Sequence, residues 1–187
     1  KPVSEYLINI VATPDRIEIR DNGIGMSEVV LRNNFWRAGS SGKNNDAARA
    51  AGVIGTFGIG AMANFGVCDR LQVDTREIGA AVGIRTSAKK SELSIGKDCI
   101  ELELVENGID EGTKLCADIG AGVKVDVAAL RNYVLPFVRF LRVPVLLNGE
   151  SLSGHDPRLD AGIGPDWLEL GKRSLKFGPF EFALTVL

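Results

Sequence analysis

The stretch Asp21-Asn22-Gly23-Ile24-Gly25-Met26, answered further along by Gly55-Thr56-Phe57-Gly58-Ile59-Gly60, decides how the chain is read. The first places a carboxylate beside two glycines, whose missing side chains let a planar ring approach the backbone. The second opens an apolar helix, and the unpaired amides of a helix start suit an anion. A carboxylate that accepts from an exocyclic amine, combined with amides that receive a charged tail, points to a purine nucleotide pocket.

Each half has a plainer reading. Asp-Asn-Gly also forms ordinary tight turns, and glycines also let a helix pack closely on a sheet. The two signatures in order favour the nucleotide. Competing phosphate motifs fail on pattern. Ser40-Ser41-Gly42-Lys43 is followed by Asn44 and lacks the upstream glycine of a P-loop, and no βαβ unit surrounds the glycines as a dinucleotide fingerprint requires.

The flanking sequence predicts the supports. Residues 6–12 and 16–20 read as an antiparallel hairpin that leaves Asp21 at a strand end, with Ile17 and Ile19 alternating between charges. Ser27 is expected to cap a helix whose core face is Val29, Val30, Phe35 and Trp36, with Asn33 and Asn34 near its end. Residues 38–54 are small, polar and alanine-rich, with one short helix expected at 46–51. Ile59, Met62, Ala63, Phe65 and Val67 predict a buried helix. Strands are expected at 70–75, 80–86, 99–105 and 113–119, with 89–97 as a polar connection. Four consecutive strands mean a mixed or antiparallel sheet. Asp126 is expected to cap a helix through Leu141 that Pro136 kinks or splits. Residues 143–147 then form an apolar strand ending in the turn Asn148-Gly149. Gly154 to Pro165 reads as a linker. The expected division is a nucleotide-binding domain over 1–150, then over 151–187 the linker and the start of a second domain.

Composition sets the limits. With 22 Lys and Arg against 24 Asp and Glu, no basic excess advertises a nucleic-acid partner. Cys68, Cys99 and Cys116 are odd in number and flanked by apolar residues, which predicts thiols in a reducing, cytoplasmic setting instead of a disulfide framework or zinc site. His155 is the single histidine, so histidine-based metal chemistry is not expected. The uncharged stretch Gly52 to Cys68 falls short of the ~20 apolar residues that span a bilayer, and no membrane association is expected. Lys1-Pro2-Val3-Ser4 has neither an initiator methionine nor a signal peptide, which predicts a start internal to a longer protein.

Three motifs in order, Asp21 to Met26, Gly55 to Met62 and Gly112-Thr113-Lys114, resemble those of the superfamily uniting gyrase, heat-shock chaperone, histidine kinase and MutL ATPases. The stretches Ile54 to Arg76 and Phe140 to Val145 are most similar to the ATP-binding domain of heat shock protein 90-like chaperones. The likeness covers roughly residues 5 to 150. It implies an α/β (α+β) two-layer sandwich of the Bergerat type. A mixed, largely antiparallel sheet would carry helices on one face, and ATP would lie under a lid between the first two motifs.

By motif position, the resemblance implies that Asp21 binds the adenine amine with Thr113 beside it. Gly23, Gly25 and Met26 would line the base, and Asn34 would approach the ribose or phosphates. Gly55, Gly58, Gly60 and Ala61 would face the phosphates. The cofactors implied are ATP or ADP with Mg2+, and the partners an ATP-dependent second copy and client proteins. The family's magnesium asparagine and water-activating glutamate lie on a helix upstream of the first motif. Nothing before Tyr6 supplies either, and the spacing of Glu28 and Asn33 does not match them. The chain as given is therefore expected to carry no catalytic or metal-binding residue, to bind nucleotide poorly and to hydrolyse hardly any. The leading reading is an ATP-driven conformational machine of chaperone type. The alternatives are an ATPase head of MutL or topoisomerase type, or a nucleotide-responsive interaction module without hydrolysis.

Overall fold

The computed structural model describes residues 2–36, 60–93, 99–155, 171–177 and 180–186. Most of them build one sheet from β1 (Ile8–Thr13), β2 (Arg16–Asp21), β3 (Cys68–Arg76), β4 (Gly83–Lys89), β5 (Glu101–Val105), β6 (Gly112–Ile119), β7 (Val145–Leu147) and β8 (Glu150–Ser151). The strands lie in the order β5-β4-β3-β6-β2-β1-β7-β8. Every neighbouring pair is antiparallel except β1 and β7, which run parallel. β9 (Gly171–Phe177) and β10 (Phe180–Val186) form a two-stranded antiparallel ladder of their own. The mixed, largely antiparallel sheet expected from the sequence is therefore present, and its strands fall close to their predicted bounds.

Successive residues of a strand point to opposite faces, so register sorts the side chains into two layers. One face gathers Ile17, Ile19, Leu71, Val73, Ile84, Leu115 and Ala117; the other gathers Arg16, Glu18, Arg20, Gln72, Asp74, Arg85 and Lys114. Among the described residues, the α-helical segments pack on the apolar face. α1 (Glu28–Val30) runs into a π-turn at Leu31–Phe35, α2 (Gly60–Ala63) into a 3-10 turn at Asn64–Gly66, and α3 (Val127–Val138) follows β6. Leu31, Trp36 and Phe65 pack on Cys68, Leu71, Val73, Ile84, Ala88 and Ala117. Val127, Leu130, Val134, Leu135 and Val138, one stripe of α3, cover Ile10, Ala12, Val145, Leu147 and Leu152.

Capping follows the sequence. Ser27 Oγ accepts from the Val30 amide at 3.4 Å, and Asp126 Oδ1 accepts from Ala128 and Ala129 at 2.9 and 3.0 Å. Asn148 and Gly149 both take positive φ, 49° and 86°, as a two-residue hairpin turn demands. The Asn148 side chain also reaches β1, accepting from Ala12 N at 2.8 Å and donating to Ala12 O at 3.0 Å.

Several expectations need correction. Val29 is 67% exposed, and Leu31 takes the core position instead. The π-turn is the reason: its bond from Trp36 N to Leu31 O brings residues five apart onto the side that faces the sheet. Val67 is 53% exposed because the helix tightens to 3-10 geometry at Asn64 and the chain turns out before it. α3 passes through Pro136 as one element and ends at Val138, with Arg139 N still bonded to Leu135 O at 2.9 Å. Proline so near the end removes one donor without interrupting the last turn. The polar connection opens with a 3-10 turn at Lys90–Glu92; residues 94–98, the expected helix at 46–51 and the segment Ser40 to Lys43 lie outside the described residues. Cys68 and Cys116 are buried free thiols, their pKa pushed up by that burial, while Cys99 is half-buried.

Two features tie the strand ends together. After β2 the chain crosses the end of β3, where Ile78 N donates to Ile24 O at 2.9 Å and Gly25 takes φ +68°. A Cβ on Gly25 would overlap the Arg76 carbonyl, and one on Gly112 (φ +106°) would overlap the Asp21 carbonyl. On the charged face, Asp74 is 4% exposed and receives Arg85 Nε and Nη2 at 2.8 and 3.0 Å and Gln72 Nε2 at 3.0 Å. Burial pushes the Asp74 pKa up, but hydrogen bonds from Arg85 and Gln72, with the charges of Arg85 and Lys114, outweigh it and hold it below the ordinary value.

Gly25→Ala is expected to lower the unfolding free energy by at least about 1–2 kcal/mol through left-handed strain, with steric overlap added, read as a lower urea midpoint. Asp74→Ala is expected to cost about 1–3 kcal/mol at neutral pH. Because the folded carboxyl's pKa is depressed, its stabilisation is present above the ordinary carboxylate range and lost as pH falls through the folded value. The gap between wild type and variant should therefore close in acid.

Candidate functional site

The last residue of β2 stands at the centre of a row across three strands. Asp21 pairs with Thr113 of β6, and Thr113 pairs with Thr75 of β3. Directly opposed residues of an antiparallel pair hold their Cβ atoms about 4.5–5.5 Å apart, so these three polar side chains neighbour one another on the helix-bearing face.

The Asp-Asn-Gly turn aims the carboxylate. Asp21 Oδ1 accepts from the Gly23 amide at 2.8 Å, and a Cβ on Gly23 would stand 2.7 Å from that same oxygen. Gly23 thus gives the carboxylate both a donor and room. Among the described residues Oδ2 has no hydrogen-bond partner, and Asp21 is half-buried. Asn22 serves the scaffold: its Oδ1 accepts from Leu7 N and its Nδ2 donates to Glu5 O, both at 2.8 Å, which anchors the segment entering β1.

Gly25 lets the chain lie against β3, and the next residue, Met26, donates its amide to Thr75 Oγ1 at 2.9 Å. The half-buried Met26 side chain packs at the margin of the core beneath α1, a soft apolar surface near the carboxylate's loop. Thr113 is half-buried, with its Oγ1 3.2 Å from that of Thr75. Thr75 is fully buried and also donates to Gly112 O at 2.9 Å. The structure thus brings Asp21, Gly23, Gly25, Met26 and Thr113 to one end of the sheet. Thr75 belongs with them, although the sequence marks it only as a strand end; its signal, opposition to Thr113, needs the β3–β6 register.

Of the rest of the predicted set, Asn34, Gly60 and Ala61 lie on the helical segments. Asn34 is half-buried in the π-turn after α1. Gly60 and Ala61 open α2, where Ala61 O accepts from Asn64 Nδ2 at 3.3 Å. Gly55 and Gly58 lie outside the described residues. Glu28 is engaged with Arg32 at 2.8 Å along its own helical turn.

A depression at the strand ends has Asp21 and Thr113 on its lining together with Arg20, Asp74, Asp110 and Lys114. Both of its cations are already paired, Arg20 with Asp110 and Lys114 with Asp74 at 3.6 Å, and Asp21 and Glu111 add negative charge, so it does not have the character of a triphosphate cup. Among the described residues no group of three His, Cys, Asp or Glu could hold a metal ion, and no helix is long and apolar enough to cross a membrane. What the row offers is hydrogen-bond acceptance beside an apolar surface, which fits the amino edge of an adenine ring.

Similarity to known proteins agrees with this geometry. The chaperone protein HtpG of Vesicomyosocius okutanii is 29% identical over 156 residues, which is 79% of this chain and 24% of the relative. The mitochondrial heat shock protein 75 kDa of Bos taurus is 30% identical over 162 residues, 81% of this chain and 22% of the relative. HtpG of Halorhodospira halophila is 27% identical over 176 residues, 87% and 27%. The chain spans about a quarter of the length of the curated relatives it matches. The family model described as histidine kinase-, DNA gyrase B-, and HSP90-like ATPase matches residues 6–112. With its Bergerat-type sheet and this match over more than half its length, the chain belongs to that ATPase family.

Proposed function

We propose that Asp21 reads the amino group of adenine and that the chain is the nucleotide-sensing domain of an HSP90-like chaperone. The observation that carries this reading is the anchored Asp21 carboxylate beside Thr113 on the helix-bearing face. A carboxylate oxygen accepts from the exocyclic amine, Met26 faces the ring, and the glycines keep the neighbouring backbone low. Asn34 lies toward the ribose, while Gly60 and Ala61, which open α2, receive the phosphates together with Gly55 and Gly58 of the same motif. Amides at such an end favour anionic oxygens.

In this reading residues 1–150 form the ATP-binding domain and residues 151–187 begin the next, a division supported by β9 and β10, which among the described residues pair only with each other. The whole protein couples ATP binding to association of two copies and to client handling in the cytoplasm. ATP stabilises the closed, associated state and so shifts its population. Hydrolysis requires magnesium and a base that activates water; neither role is assigned to a residue of this chain. The named chaperone relatives support this reading over a DNA-processing head.

Asp21→Asn is expected to weaken adenine nucleotide binding by about 1–3 kcal/mol, since a charged acceptor is lost, while leaving the fold in place. Calorimetric titration of the full-length protein with ADP and ATP measures it, and unchanged affinity would remove Asp21 from the site. Gly58→Val should weaken ATP more than adenosine. Equal losses for both ligands would contradict the placement of the phosphates.

A further inference from the structure

Thr75 appears in no motif, is fully buried and makes three polar contacts with a single hydroxyl. The chemistry of its partners fixes the direction of each bond. The Met26 amide can only donate to Thr75 Oγ1, and the Gly112 carbonyl can only accept from it. A hydroxyl has one proton, and giving it to Gly112 O keeps that carbonyl satisfied; an unpaired buried carbonyl is costly. Toward Thr113, at 3.2 Å, Thr75 is then left with a lone pair, so Thr113 must be the donor. Its proton points inward to Thr75, and the outward side of Thr113 Oγ1 carries lone pairs only.

We propose that Thr75 is a specificity-determining positioning residue that turns Thr113 into an obligate acceptor. This inference rests on the adenine reading above and adds to it the source of base selectivity. Asp21 and its neighbour across β2 and β6 then both present acceptors to the ligand. An exocyclic amine has two protons to give and satisfies such a pair. A ring oxo group at the same position, as in hypoxanthine or guanine, faces the pair with an acceptor and leaves only the single N1–H beside it to give, so one protein oxygen and the oxo group stay unpaired. A site built to hydrogen-bond one group rejects the analogue lacking it, because its own polar atoms are left without partners. Thr75 does this without touching the ligand, and it also ties down the backbone of Met26 and Gly112.

The test compares ATP with ITP, whose base replaces the amine by an oxo group, by titration calorimetry on the full-length protein. Wild type is expected to prefer ATP by at least about tenfold. Thr75→Val keeps the shape but removes the hydroxyl, so Thr113 is free to turn its proton toward the ligand and the ATP to ITP preference should fall severalfold. Thr75→Ser should restore it. Should Thr75→Val fail to fold, Thr113→Val reads the same relay at its outward end and should also narrow the preference. A wild-type preference that survives both valine substitutions would overturn the role of Thr75 while leaving the adenine reading intact. Binding of neither nucleotide by the wild type would overturn both.

Discussion

The antiparallel register of β2, β6 and β3 is the constraint on which the candidate site depends. It sets Asp21, Thr113 and Thr75 in one row on the face that carries the helices. A slip of one residue in β2 would send Asp21 to the charged face and turn Arg20 toward the helical layer. Gly25 and Gly112 guard against it, because each brings its backbone so close to a neighbouring carbonyl that a side chain would not fit. The glycines of the first motif thus have a duty to the scaffold as well as any they have to a ligand.

The same register divides the energetics. Apolar residues on one face are covered by two separate helical clusters, one under α1 and the Phe65 turn and one under α3. Between them the floor is less covered: Ile19 is still 38% exposed and Leu115 is half-buried. Asp21 closes the end of that same strand. The opposite face is held by cross-strand pairs, with Asp74 receiving Arg85 through two hydrogen bonds and lying within reach of Lys114. Cross-strand pairs of this kind reinforce the register from the side away from the helices.

Much of the architecture was legible because strands declare themselves by alternation. Ile17 and Ile19 between charges marked β2, and Asn148-Gly149 marked a turn whose positive φ values the structure bears out. Helical segments were harder. Val29 satisfies a helical period yet points to solvent, because the π-turn at Leu31–Phe35 changes the phase of the segment, and no residue there advertises an extra member of the turn. Thr75 was illegible for another reason. Its meaning comes from Thr113, Gly112 and Met26, which lie far from it in sequence and reach it only through long-range pairing. Motifs reveal groups placed near one another along the chain; a hydroxyl recruited from a third strand leaves no such trace.

The parallel union of β1 with β7 joins residues 8–10 to residues 145–147. During synthesis the first hairpin emerges early, but one of its edges stays bare until almost the entire sheet has been made. Contacts of such long separation slow folding and prolong the interval in which unsatisfied strand edges are open to foreign chains. The domain is therefore demanding to assemble, because its first hairpin waits for one of the last strands of the sheet.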